Sequence, residues 1–166
     1  MTKTLILLAA LVLILAWYLS FLASRLDRLH HRVETSWEHL DALLQRRAAV
    51  ALEIAHFSDI DPATSLVLTA SAYQAREASI LDRSESESSL SEVLKLFLGA
   101  GEEEILNPEL SRELREITEK IRFGITTHLE AVNTARNVRN KFAVKLFRLA
   151  GHAPLPVRYA FEDDIL

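Results

Sequence analysis

Glu53 and His56 form the chain's one Glu-x-x-His pair. Two such pairs and two further inward glutamates build a di-iron centre inside a four-helix bundle. Here Ile54 and Phe57 take the apolar face, so Glu53 and His56 lean outward, and neither a metal nor another cofactor is expected. His30 and His31 are adjacent and therefore diverge on a helix. Glu38 and Asp41 share a helical face, and a solvated face or a cross-helix ion pair explains them better than a catalytic carboxylate pair. There is no G-x-S-x-G, no P-loop and no glycine-rich phosphate cradle. Enzymatic activity is not expected.

Two polar residues stand within apolar seams: Arg47 and His128. A buried arginine needs a carboxylate partner or must reach the rim of the core. Arg47 is therefore expected to be a structural ion pair or a rim residue, with register fixing or capture of a partner's acidic group as the functional alternative.

These residues must be positioned by long helices, because Leu, Ala, Glu and Arg dominate and only four glycines and four prolines occur in 166 residues. The first helix opens with Thr4 to Ser24, an uncharged stretch spanning about 30 Å, the thickness of a bilayer's hydrocarbon core. Cleavage as a signal peptide wants small residues at two positions before the cut; Phe21 or Leu22 would occupy the earlier one, so an uncleaved anchor is expected. No glycine or proline follows until Pro62. Leu22, Leu26, Leu29, Val33, Ser36, Leu40, Leu43, Arg47, Val50, Ile54 and Phe57 step by alternating fours and threes, a heptad seam. Trp37 and Leu44 widen it, which favours a bundle over a two-stranded coiled coil.

Asp61-Pro62 and Asn107-Pro108 are helix starts, with a capping side chain followed by proline at the first helical position. The former predicts a helix to about Leu81, with Leu66, Ala70, Tyr73 and Ile80 inward. The serine-rich stretch Arg83 to Ser89 predicts a break, with capping boxes Ser84/Glu87 and Ser89/Glu92. A third helix then carries Leu90, Val93, Leu94 and Phe97 to Gly99, and Gly99 to Leu106 reads as an acidic loop. The last long helix runs from Pro108 toward a cap at Gly151. Its seam is Leu110, Leu114, Ile117, Ile121, Gly124, His128, Ala131, Ala135, Val138 and Phe142, with Leu146 and Leu149 beyond. The expected fold is all-α: an N-terminal transmembrane helix continuing into an antiparallel bundle of about four helices.

Val33 to Arg47 reads V-E-T-S-W-E-H-L-D-A-L-L-Q-R-R. Val33, Ser36, Trp37, Leu40, Asp41, Leu44, Arg46 and Arg47 match a pattern of the LemA family, which the chain resembles as a divergent member. Thr118 to Ile121 looks like that family's Thr-Glu segment, one residue short in spacing, and Phe161-Glu162 like its closing aromatic-acidic pair. Leu52-Glu53 stands where the family commonly has Pro-Asn, and His128-Leu129 where it has Tyr-Asn. The resemblance implies a membrane-anchored, cytoplasmic helical bundle with no established molecular activity. It points to Trp37, Asp41, Arg46 and Arg47, with His128, as candidate structural or partner-binding residues. The chain then divides into an anchor (1–24), a LemA-like bundle (25–150) and an extended tail (151–166).

Charge suggests orientation and partners. Beyond the anchor there are 18 Lys+Arg (19 less Lys3) against 23 Asp+Glu, a net −5, which argues against nucleic acid as a partner. The absence of cysteine excludes disulfides and thiol chemistry. Arg25, Arg28 and Arg32 outnumber Lys3 across the span, so the N-terminus is expected outside and the bundle in the cytoplasm, on a single-pass cell-membrane protein. Arg136, Arg139, Lys141, Lys145 and Arg148 occur without an intervening acid. In an up-and-down bundle they return beside Arg25, Arg28 and Arg32, as candidate contacts to anionic headgroups. The expected role is a membrane-anchored scaffold or adaptor whose partners are the bilayer and an unidentified protein. Self-assembly through the first seam is the alternative, and an enzyme or metal-binding bundle a third.

Overall fold

The computed structural model describes residues 1–57, 60–79, 82–99, 107–147 and 149. Over them the chain is all-α, with no strand: α1 (Thr2–Ala55), α2 (Pro62–Glu77), α3 (Arg83–Gly99), α4 (Pro108–Arg139) and the short α5 (Phe142–Leu146). Ile80, the stretch 100–106, Arg148, the expected cap at Gly151 and the tail lie outside the described residues. Two compact units divide the described chain, one of residues 37–128 and one of residues 1–36 with 129–149.

In the first of these units, four helices alternate in direction. Gln45 Nε2 donates to the Arg76 carbonyl and Ser65 Oγ to that of Ala55, so α2 runs back along α1. Asp41 meets Arg83 and Arg47 meets Glu87, so α3 runs parallel to α1. Arg46 meets Glu113, and Gly124 faces Leu40 and Leu43, so α4 runs back again. Leu40, Leu44, Ile54, Leu68, Leu90 and Ile121 are fully buried in one core, each contributing roughly 1.5–3 kcal/mol. The first seam holds: none of its members from Leu22 to Phe57 is exposed.

Both proline-led starts form as expected. Asp61 accepts from the amides of Ala63 and Thr64, and Asn107 Oδ1 from that of Glu109. The break between α2 and α3 falls earlier than the serines suggest. α2 ends at Glu77, Ala78 is extended, and the amide of Ser86 donates to the Asp82 carbonyl to open α3. Ser84 to Ser89 are therefore helical rather than capping, and Ser88 and Ser91 turn their hydroxyls back onto the carbonyls four residues earlier.

The inward face of α2 also differs. Leu66 is 71% exposed, and Ala70 and Tyr73 are exposed with it; Leu68, Ser71, Ala72 and Ala75 are buried instead. α2 packs on α3, and three of these four buried residues are small, which permits a short distance between helix axes.

The second unit holds the apolar stretch of α1, the end of α4, and α5. This is the described chain's one helix long and apolar enough to cross a membrane, and only 6% of its most apolar window is buried, unlike the core helix of a soluble bundle. Leu22 and Leu26 pack with Val138 and Val144, and Arg32 lies 4.0 Å from Glu130, so α4 runs antiparallel to α1 here also. The expected continuation of α4 to Gly151 is not observed. α4 stops at Arg139, Lys141 turns extended, and its amide donates to the Val138 carbonyl. Asn140 is a residue type that favours helix ends over interiors. The turn changes the helical phase, so Val144 is buried while Phe142 and Leu146, expected on the seam, are exposed.

Candidate functional site

α1 and α3 lie side by side and run the same way, so successive residues on their facing sides meet in order. Asp41 and Arg47 of α1 meet Arg83, Glu87 and Ser91 of α3 in the core of residues 37–128. Arg47 is 1% exposed and Glu87 fully buried. Arg47 Nη2 donates to Glu87 Oε2 at 2.6 Å and to the Glu87 carbonyl at 3.3 Å; Nη1 donates to Ser91 Oγ at 3.0 Å. Arg83 Nη2 lies 2.8 Å from Asp41 Oδ1, and its Nη1 donates to the Ala75 carbonyl of α2 at 3.0 Å. Glu87 Oε1 is 3.8 Å from Arg83 Nη1, beyond hydrogen-bonding reach.

The network sets two guanidinium groups against two carboxylates and ties α1, α2 and α3 together at one level. Burial pushes the Glu87 carboxyl above its ordinary value of 4.5, although Arg47 and Arg83 both pull it down. Arg47 and Ser91 also line a cavity of about 270 Å³ whose apolar wall includes Leu94, Leu98 and Leu114.

A turn away on α1, Trp37 meets His128 of α4 with ring centroids 5.6 Å apart and planes tilted by 56°. His128 is buried, and loss of water lowers its pKa from 6.5, favouring the neutral ring. Beside these rings, Gly124 lets α4 approach α1: a Cβ there would stand 3.2 Å from Leu40 Cδ1.

No family model, curated protein or solved structure matches this chain.

The candidate residues separate into three places. Asp41 and Arg47 join the buried network. Trp37 and His128 join each other. Arg46, next to Arg47 but about 100° around the helix, is exposed and donates through Nε to Glu113 Oε1 at 2.8 Å. Glu53 and His56 are exposed, as their flanking apolar residues require. Among the described residues, no three His, Asp or Glu side chains gather as a metal site would need.

Arg83, Glu87 and Ser91 were not legible as partners because serine-rich sequence looks like a loop. The available signal is the α3 seam. Stepping back from Phe97 by three and four gives Leu94, Leu90, Glu87 and Arg83, so a carboxylate and an arginine occupy core positions.

The basic candidates lie in the other unit. Arg25, Arg28, Arg32, Lys141 and Lys145 are exposed; Arg136 and Arg139 are half-buried. The packing of Leu22 and Leu26 on Val138 and Val144 brings the two basic runs to the same end of the apolar stretch.

Proposed function

We propose that this protein is a membrane-anchored helical scaffold or adaptor, single-pass in the cell membrane, with its N-terminus outside and its bundle in the cytoplasm. One observation carries the reading: a single unbroken helix, Thr2–Ala55, contains both the exposed apolar span and the residues Leu40, Leu44, Val50 and Ile54 that fill the bundle core. A leader destined for removal would not be expected to supply core packing, yet Leu22, inside the apolar stretch, is buried against Val138 and Val144.

The excess of arginine after the span supports a cytoplasmic bundle. The resemblance of Val33 to Arg47 to the LemA family points the same way. The exposed basic residues at the end of the span suit anionic headgroups. Chemical cross-linking of the tagged full-length protein in intact cells of its native producer tests the role. A Leu11→Arg/Ile14→Arg variant, whose span is broken by charge, is the control. One dominant protein partner lost in the control is the expected result; no partner beyond lipid would contradict the adaptor reading.

Self-assembly is the second reading. The first seam is already filled within the chain, so a second copy would have to use another surface. α2 offers one, since Leu66, Val67 and Tyr73 are exposed. Cross-links only between copies of the protein would favour it.

A further inference from the structure

α5 has two unlike faces. Phe142 and Leu146 are four residues apart and share one side of the helix, while Val144 points to the other. Val144 is buried against Leu22, Leu26 and Val138. Phe142, Leu146 and the following Phe147 are 78%, 59% and 43% exposed. Three large apolar side chains thus stand uncovered on a segment whose buried face rests where the apolar stretch of α1 ends. Phe21, 50% exposed and stacked on Trp17, lies on that same end of the stretch. Lys141 and Lys145 flank the exposed residues and are themselves exposed.

We propose that α5 is a second membrane contact: Phe142, Leu146 and Phe147 enter the bilayer's interfacial zone beside the exit of α1, while Lys141 and Lys145 meet anionic headgroups. The proposal rests on reading α1 as a membrane span. Its occupant is lipid rather than protein for two reasons. The patch lies at the end of the span, because the opposite face of α5 packs on Leu22 and Leu26, and lysine is depleted where proteins bury surface against each other but suits the headgroup layer, where its stem lies along apolar surface and its ammonium reaches water. Aromatic rings also favour this zone. The chain would then hold the membrane at two points, fixing the rotation of α1 about its axis as well as its depth.

The cysteine-free sequence allows one label at a time. Leu146→Cys, Ile14→Cys and Leu66→Cys are each made in the full chain, spin-labelled and placed in phosphatidylglycerol–phosphatidylcholine nanodiscs. All three positions are exposed, so no label displaces a packed side chain. Accessibility to oxygen, which concentrates in lipid, is compared with accessibility to a water-soluble nickel complex. The expected oxygen-to-nickel ratio is highest at Ile14, lowest at Leu66 and intermediate at Leu146. A Leu146 ratio equal to that of Leu66, with Ile14 in lipid, would overturn the second contact and leave the span standing. A Leu146 label shielded from both reagents would also overturn it, by showing that protein covers the patch. A water-accessible Ile14 would overturn the span and the second contact together.

Discussion

Arg47 and Glu87 stand 2.6 Å apart with both side chains sealed from water, one on α1 and the other on α3. Neither charge is tolerable alone at that depth. Removing one partner of a buried pair costs about 3–5 kcal/mol, whereas replacing both by apolar residues of similar volume is often neutral or stabilising. Arg47→Leu is therefore expected to destabilise the full-length protein strongly, and Arg47→Met/Glu87→Leu to recover most of that loss. Chemical denaturation in detergent micelles measures both. An Arg47→Leu protein with unchanged stability and oligomeric state would show that the pair specifies nothing.

The neighbouring arginine should behave in the opposite way. Arg46 is half exposed, and its pairing with Glu113 is open to solvent and salt. Exposed pairs contribute about 0–1 kcal/mol. Arg46→Ala is expected to leave the denaturation midpoint nearly unchanged, and a loss as large as that of Arg47→Leu would refute the division between surface and core.

His128 predicts a pH dependence. Its pKa is lowered by burial, so the folded state favours the neutral ring. The stability this contributes is fully present above the unfolded value of about 6.5 and is lost as pH falls through the folded value. Glu87, whose pKa is raised by burial, acts with the opposite sign, so the measured contrast is with a variant that changes His128 and leaves Glu87 in place. Melting temperatures between pH 8 and pH 5 should fall further for the natural protein than for His128→Gln. Parallel curves would mean that His128 is not held neutral by the fold.

Gly124 sets the distance between α4 and α1. Gly124→Ala gains about 1 kcal/mol of helix propensity but places its Cβ 3.2 Å from Leu40 Cδ1, the end of a flexible side chain that can yield slightly. The net change is expected to stay within about 1 kcal/mol. Gly124→Leu has no such escape, because Leu40 is fully buried; overpacking of this kind costs typically 1–3 kcal/mol. Equal midpoints for the two variants would show that α4 does not approach α1 this closely.

Local chemistry was readable where it acts locally. Asp61-Pro62 and Asn107-Pro108 start their helices because a side-chain oxygen and a fixed φ act within three residues. The α1 seam was readable because large apolar residues fill nine of its eleven positions, and Arg47 stood out as requiring a carboxylate. Which carboxylate was hidden, because Glu87 lies among serines that equally suit a cap. The face of α2 was not legible because Leu66 and Tyr73 are large, whereas the buried face holds the small Ser71, Ala72 and Ala75. Phe142 and Leu146 keep the period of α4 through Asn140; only the turn at Lys141 reverses which side is buried.

The placement of the bundle relative to the membrane is tested most directly by labelling intact cells of the native producer with a membrane-impermeant maleimide. Thr2→Cys and Leu66→Cys are compared, each the sole cysteine of the full-length chain and each at an exposed position. The expected result is labelling of Thr2→Cys in intact cells and of Leu66→Cys only after permeabilisation. Labelling of Leu66→Cys from outside, with Thr2→Cys protected, would place the bundle on the opposite face and contradict a cytoplasmic adaptor.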